Sequence, residues 1–191
     1  DVNSLNNYIE ALKARVHYFD RQGARSSDQS FEKTPLMTAS SEEANTIFET
    51  LVSGQSVSET EQYELAGYIL TEISKVYHEL NWVVQFHLGP TRNNNTNMYD
   101  KVGPDSGFDS VGEQLSAKSL NAMLDHLEQH QALSDTIIYP NNGNDHLMVQ
   151  ATAGNFSNSK HKVQLGAAWW FNDTKEGMER HLVDYANVGL L

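Results

Sequence analysis

Helical patterns alternate with short β-rich runs along the chain, and this alternation constrains the fold more than any other feature. The first helix is clear, because Leu5, Ile9, Leu12, Val16 and Phe19 recur at steps of three and four residues. The β-rich runs between the helices read GARSSD, NWVVQFHLG, DTIIYP and KVQLGAAWWF. Strands that are joined by helices pair in parallel. The pattern predicts an α/β fold of about four consecutive βα units, either half of an eight-stranded (β/α)8 TIM-type barrel or a small open sheet.

Polar residues and glycines indicate where several helices begin and end. Capping-box spacing occurs at Ser40–Glu43, Ser58–Glu61 and Asp173–Glu176. Gly23 and Gly189 are placed to follow the last turn of the first and last helices. Residues 90–112 are rich in Asn, Gly and Asp without a period, so we expect a long functional loop there. With no internal repeat or linker, residues 1–191 are predicted to be a single segment of a partial barrel.

Charge and composition exclude several classes of function. The net charge is −12 and no basic patch offsets it, so a nucleic-acid partner is not expected. No apolar stretch is long enough to span a membrane. The chain has no cysteine, which excludes disulfides and thiolate metal sites and is compatible with the cytoplasmic location that we predict. An anionic small molecule would need a local arginine, because the overall field opposes it.

Polar clusters follow the predicted strands at the places where ligands bind in parallel α/β folds. The clusters are Asp28, Arg92 with its asparagines, Asn141 to Asp145, and Trp170 to Asp173. Arg92 is a candidate for binding a carboxylate, because its planar guanidinium matches that group with two hydrogen bonds. Asn93 and Asn94 beside it could hydrogen-bond sugar hydroxyls. The alternative is a solvated loop, since Asn-rich runs favour turns.

Two titratable residues on the predicted strands are candidates for proton transfer. Asp28 ends the run GARSSD, where its carboxylate could act as a base or accept a hydroxyl hydrogen bond. It could equally cap the next segment or pair with Arg25. His87 shares a strand face with Gln85 and could bind metal, move protons or be an ordinary buried histidine. The sequence has no HxH or HExxH pair, so local motifs build no metal site.

Trp169 and Trp170 follow two alanines near the end of the last predicted strand. An indole ring can stack on the apolar face of a sugar, and the small residues before it leave room for a ligand. Adjacent strand residues face opposite sides, so only one of the two is expected to point inward. Both could instead pack beneath helices. The sequence has neither a phosphate-binding loop with its lysine nor a GxSxG elbow.

Three segments of the chain carry long and specific motifs. WVVQFHLGPTRNNNTNMYDKVGPDSGFDSVG contains the patterns H-x-G-x-x-R-N-N-N and G-P-D-x-G-F-D-S, KVQLGAAWWFNDTKEGMERHL contains W-W-F-N-D, and GARSSD ends in S-D. Together they resemble the bacterial uronate isomerase (glucuronate isomerase) family. The resemblance runs over essentially the whole chain in the family's order.

The resemblance implies a distorted (β/α)8 barrel of the amidohydrolase superfamily, of which this chain would supply the fourth to the seventh strand. It implies an aldose–ketose isomerase that interconverts D-glucuronate with D-fructuronate, and D-galacturonate with D-tagaturonate. A proton would move between C2 and C1 through an enediol, near a divalent metal such as zinc. By match to the motifs, Arg92 would bind substrate, Asp28 would lie in the active site and His87 would line the barrel mouth. One of Trp169 and Trp170 would contact the sugar.

Some family motifs are missing here. The family's His-x-His metal pair, an arginine in R-P-D and an Asp-x-Arg on the last strand do not occur in this chain. We therefore expect an internal fragment whose metal ligands lie outside it and which is inactive alone. Gln29 and Asn97 replace a family histidine and arginine, which puts local hydrogen bonding in question.

Two other hypotheses remain open from the sequence. The chain could be a metal-free module that binds sugar acids without converting them. It could also be a structural half barrel that pairs with a second copy, because exposed parallel edges favour association. A homo-oligomer is expected in either the isomerase or the half-barrel reading. The expected small-molecule partner is a uronate.

Overall fold

Parallel strands form the main sheet of this computed structural model, which describes residues 4–158, 163–166 and 169–188. The sheet has four strands: β1 (Ser26–Phe31), β2 (Val83–Leu88), β5 (Thr136–Pro140) and β6 (Val163–Leu165). They lie in the order β1-β2-β5-β6, and each neighbouring pair is parallel. The predicted α/β fold with parallel pairing is therefore confirmed.

Helices connect these strands, as the alternating pattern predicts. They are α1 (Leu5–Arg21), α2 (Ser41–Val52), α3 (Glu59–Glu79), α4 (Thr96–Val102), α5 (Ala117–Gln129), α6 (His146–Phe156) and α7 (Lys175–Val188). A small antiparallel hairpin consists of β3 (Pro90–Thr91) and β4 (Ser110–Val111). Short 3-10 turns cover Gly143–Asp145 and Trp170–Asn172. Among the described helices, none is both long and apolar enough to cross a membrane.

The hydrophobic core lies between one face of the sheet and the helices. On β2, Val84, Phe86 and Leu88 alternate with half-buried residues and are almost fully buried. Leu120 and Leu124 of α5 pack into the same core, as predicted from their helical spacing. Burial of each such side chain contributes about 1.5–3 kcal/mol. This core fixes the positions of the strands and so of the side chains on the opposite face.

The opposite face of the sheet is open. It consists of the side chains that alternate with the core residues: Asp28, Ser30, Gln85, His87, Ile137 and Tyr139. The apolar run of β2 has the length typical of a strand buried on both faces, but its side chains on the open face are only half-buried. The sequence pattern did not reveal this, since Gln85 and His87 interrupt the apolar run without changing its length.

Helix starts follow the predicted caps in two places and differ in one. The boxes Ser40–Glu43 and Ser58–Glu61 are both formed. At α7 the predicted box is wrong: the helix begins at Lys175, and the Thr174 hydroxyl accepts from the Gly177 N–H at 3.0 Å. Gly23 follows α1 with a φ of +97°, as expected of a residue after a helix. The prediction for Gly189 falls outside the described residues.

Residues 90–112 have more structure than an irregular loop. The segment leaves through β3, forms α4 and returns through β4, so its two ends lie side by side. At the return, the Gly112 N–H donates to the Gly89 carbonyl at 3.0 Å. A Cβ at Gly112 would lie 2.3 Å from that oxygen, so the close approach requires glycine. The hairpin thereby places Arg92 beside the open face.

Candidate active site

An Asp–His pair occupies the open face near the carboxyl ends of the strands. His87 Nδ1 lies 2.6 Å from Asp28 Oδ1. The two residues are diagonal neighbours, because Asp28 is opposite Gln85 and Ser30 is opposite His87 in the parallel register. In the tautomer in which Nδ1–H donates a hydrogen bond to the carboxylate, Nε2 keeps its lone pair. The His87 side chain is 15% exposed, so the pair can meet a ligand on the open face.

Asp28 lies in the middle of its strand. The prediction that the strand ends at Asp28 is wrong, because β1 continues to Phe31. Extended backbone beyond Asp28 places Ser30 on the same face, one pleat nearer the carboxyl edge. Polar Ser, Asp and Gln residues in GARSSDQS hid this continuation, since they are uncommon in strands. The Arg25 alternative is not realised, because Arg25 pairs with Asp20 at 3.1 Å.

Arg92 lies at the same edge of the sheet as the Asp–His pair. Its Nη2 donates to the Ser30 hydroxyl at 3.3 Å, and Ser30 is only two residues beyond Asp28. Its guanidinium carbon lies 5.4 Å from the centre of the Trp170 ring, which is a cation–π contact. Asp109 and Asp105 lie at the longer distances of 3.7 and 3.9 Å from Nη1. The guanidinium is thus oriented by neighbours while its side chain stays 31% exposed.

The asparagines after Arg92 shape the segment that holds it. Asn94 donates through Nδ2 to the carbonyls of Thr91 and Phe108, at 2.8 and 3.2 Å. Asn93 accepts through Oδ1 from the Asp105 N–H at 3.1 Å. The Asn93 N–H donates to the buried Asp109 carboxylate at 2.7 Å. These contacts tie the two ends of the 90–112 segment together.

Both tryptophans contact the site. Trp169 meets the His87 ring edge-on at 4.5 Å, and Trp170 lies beneath Arg92. The expectation that only one points inward assumed a continuous strand, but β6 ends at Leu165. Trp169 and Trp170 instead have φ values of 156° and 51° as the chain enters a 3-10 turn, so strand alternation does not apply.

Tyr139 is a site residue that the sequence reasoning missed. Its ring stacks on the His87 ring, with 4.6 Å between the ring centres and 7° between the ring planes. Burial, followed by the nearby Asp28 charge, raises the pKa of the Tyr139 hydroxyl. Its position as the last residue before Pro140 in the run DTIIYP was the available signal, because that is the carboxyl end of a strand.

The polar run from Asn141 to Asp145 supports the edge of the site. Asn142 donates through Nδ2 to the Gly112 carbonyl at 3.2 Å. Asn172 donates in the same way to the Asn141 carbonyl at 3.0 Å. The Asp145 carboxylate accepts the Leu115 N–H at 3.0 Å, and burial raises its pKa. These bonds join the turns after β5 and β6 to the hairpin that carries Arg92.

The side chains that the structure describes do not form a metal site. Within the described ranges, no three His, Asp or Glu side chains come together in a way that could hold a metal ion. Asp28 and His87 supply two donors, but these are bonded to each other. Structural zinc sites use four protein ligands and catalytic sites three. The described residues therefore do not fit a complete metal site.

Comparisons with known proteins agree along the whole chain. A profile of the glucuronate isomerase family matches residues 1–191. A uronate isomerase from Shouchella clausii is 39% identical, covering 100% of this chain and 41% of the relative. One from Staphylococcus haemolyticus is 41% identical, covering 100% and 42%. The present chain thus spans about two fifths of the length of these relatives.

Solved structures show the same fold and the same partial coverage. The crystal structure of uronate isomerase from Thermotoga maritima matches with a TM-score of 0.89 at 27% identity, covering 100% of this chain and 41% of that one. The glucuronate isomerase structure from Caulobacter crescentus matches with a TM-score of 0.84 at 28% identity, covering 98% and 38%. The chain is a partial fragment of the TIM-barrel-like fold of these structures. It therefore belongs to the glucuronate isomerase family of the amidohydrolase superfamily.

Proposed function

We propose that this chain forms one wall of the active site of an aldose–ketose isomerase acting on hexuronates. The substrates implied by the family are D-glucuronate with D-fructuronate, and D-galacturonate with D-tagaturonate. One observation supports the proposal most: an Asp–His pair at 2.6 Å lies at the same sheet edge as an oriented arginine. A sugar acid offers both a carboxylate and a C–H bond to ionise, and this wall has a group suited to each.

Arg92 would bind the carboxylate of the sugar acid. The guanidinium presents a planar fork that matches two carboxylate oxygens. The Ser30 hydroxyl and the Trp170 ring hold it in place, and the aspartates at 3.7 and 3.9 Å are too distant to occupy its donors fully. Trp169 and Trp170 would provide the apolar wall against which the sugar lies.

The Asp28–His87 pair would move the proton. His87 Nε2 would remove the proton from C2, and the electrons of that bond would form the C1=C2 double bond of the enediol as the C1 oxygen gains a proton. The C2 oxygen would then return a proton to the water molecule or acid that protonated the C1 oxygen, and the C1=C2 electrons would bond C1 to the proton held by His87, which gives the ketone. Asp28 would stabilise the imidazolium between these steps through the bond between its carboxylate and Nδ1.

Several finer assignments remain predictions. Direct contact of Asn93 and Asn94 with substrate is one, although both amides already bond within the 90–112 segment. A divalent metal, with zinc as the expected ion, is another. Its ligands would lie on polypeptide outside the described residues, and its role would be to polarise the sugar's oxygens. The cytoplasmic location is a third.

The experiment is an isomerisation assay with a complete enzyme that contains this chain. Asp28→Asn should lower kcat by about 100-fold or more with a small change in KM, because it removes the charge that stabilises the imidazolium. Asn97→Ala is the control, since Asn97 is exposed on α4 in the same segment. Equal kcat for Asp28→Asn and the control would exclude the pair from proton transfer.

Calorimetry with the 191-residue chain separates the binding-module hypothesis from this one. Uronate binding without metal and without product formation would favour a module. Turnover by the isolated chain would contradict the expectation that the fragment is inactive.

Self-association is a separate proposal, which rests on the outer edge of β1. Within the described ranges β1 pairs only with β2, and a groove of about 530 Å³ lies beside it between α1 and α3. The groove is lined mainly by apolar side chains, including Phe19, which is 47% exposed. An unpaired edge with apolar surface favours association.

Light scattering tests this self-association. The wild type should have a mass above the 21.4 kDa of one chain, and the mass should fall in Phe19→Ser. A monomeric wild type would exclude self-association.

A further inference from the structure

Tyr139 and His87 are held side by side by the register of the sheet. The two residues are Cα partners in the parallel pairing of β2 and β5, so their side chains leave the same face at the same height. The centres of their stacked rings are 4.6 Å apart, and the ring planes differ by 7°. A nearly parallel stack limits rotation of the imidazole about its second side-chain dihedral angle, since turning the ring would drive its edge into the phenol ring.

The contacts of His87 leave the imidazole little freedom. Asp28 bonds Nδ1 at 2.6 Å, and the Trp169 ring packs edge-on against the imidazole with 4.5 Å between the ring centres. A histidine ring can otherwise flip by half a turn and exchange the positions of its nitrogen and carbon atoms. The Asp28 bond selects one of these orientations, and the Tyr139 stack keeps the ring in the plane in which that bond forms.

The Tyr139 ring has room at this position because Gly166, directly after β6, has no side chain. A Cβ at Gly166 would lie 2.1 Å from Tyr139 Cε1 and 2.2 Å from Cδ1. The phenol ring therefore occupies the space that any other residue at position 166 would fill. Since burial and the Asp28 charge raise its pKa, the hydroxyl stays neutral at physiological pH and adds no second anion beside the Asp–His pair.

We infer that Tyr139, for whose ring Gly166 leaves room, is a positioning residue: it holds the His87 ring in the plane in which Asp28 selects the Nδ1–H tautomer. This inference rests on the proposed function only for its effect on turnover. The orientation of the imidazole is a property of the free protein and can be measured without substrate.

The test begins with nitrogen NMR of ring-labelled histidine in the full 191-residue chain. In the wild type, His87 should appear as the Nδ1–H tautomer with a strongly hydrogen-bonded ring proton. Tyr139→Phe should keep both signals, because it keeps the ring. Tyr139→Leu should give a mixture of tautomers and lose the hydrogen-bonded proton signal to exchange with water.

Each result decides for or against the inference. An Nε2–H tautomer of His87 in the wild type would overturn the inference without any variant. The inference can therefore be tested even if Tyr139→Leu does not fold. Wild-type signals in a folded Tyr139→Leu would also overturn it. In a complete enzyme, Tyr139→Leu should lower kcat about 10- to 100-fold with KM nearly unchanged. Tyr139→Phe, which keeps the ring, should have the kcat of the wild type. Loss of the tautomer without loss of kcat would refute the proposed role of His87 in catalysis and leave the positioning inference intact.

Discussion

A buried pair of histidines between α6 and α7 should make the protein sensitive to acid. His146 and His181 are 4% and 2% exposed, and their Nε2 atoms are 2.6 Å apart. At that distance one ring donates and the other accepts, so the two rings cannot both carry a positive charge. Burial, then His181 and Arg180, lower the pKa of His146 to about 4, while Asp184 acts in the opposite direction. The position of His146 at the first turn of α6 further disfavours a positive charge.

The size and sign of the effect follow from this pKa. An unfolded histidine titrates near 6.5, so the folded value lies about 2.5 units lower. This difference corresponds to about 3 kcal/mol. Because the folded state resists protonation, the contribution is fully present above about pH 6.5. It is lost progressively as the pH falls towards the folded value of about 4.

The assay is urea denaturation at pH 7, 5.5 and 4.5, comparing variants so that titrating carboxylates cancel. The double variant His146→Leu/His181→Leu removes the titration, and its free energy of unfolding should fall less between pH 7 and 4.5 than that of the wild type, by about 2 kcal/mol. His17→Gln, on α1, is the control and should keep the wild-type dependence. Parallel pH curves for the wild type and the double variant would refute the reasoning.

Other predictions concern the site, the core and a cap. Arg92→Ala in a complete enzyme should lose on the order of 2–4 kcal/mol of transition-state stabilisation, measured as a fall in kcat/KM. An unchanged kcat/KM would remove Arg92 from the site. Gly67→Ala should cost about 1–3 kcal/mol in urea denaturation, because its Cβ would lie 1.9 Å from the Leu36 carbonyl oxygen. Gly154→Ala, which is helical but unobstructed, should instead gain up to about 1 kcal/mol, and equal effects would contradict the steric reason. Ser40→Ala should cost about 1 kcal/mol by thermal unfolding, and no loss would mean that the capping box is not stabilising.

Local patterns predicted much of the fold and part of the site. The α5 stripe of Leu120, Leu124 and Leu127 is buried as expected, because helical period depends only on neighbouring residues. Arg92 was expected at the carboxyl edge of the sheet, and its contact with Ser30 places it there, whereas Asp28 lies one pleat further from that edge than expected. Parallel connections bring the carboxyl ends of strands together whatever the remaining sequence is.

Longer-range features were not predictable from the sequence. The strand boundary at Leu165 brings both tryptophans to the site, whereas the residue pattern suggested a longer strand. The stack of Tyr139 on His87 depends on the register of strands about 50 residues apart, which no local period encodes. The same is true of the His146–His181 pair, because it exists only when two helices dock.

By itself, the sequence determined the order of the four parallel strands, the presence of helices between them and the family, since these follow from local periodicity and from motifs. Only the tertiary structure decided which side chains meet on the open face. Those contacts are set by strand register and by the packing of helices on the opposite face. Both depend on interactions between residues that are distant in the chain.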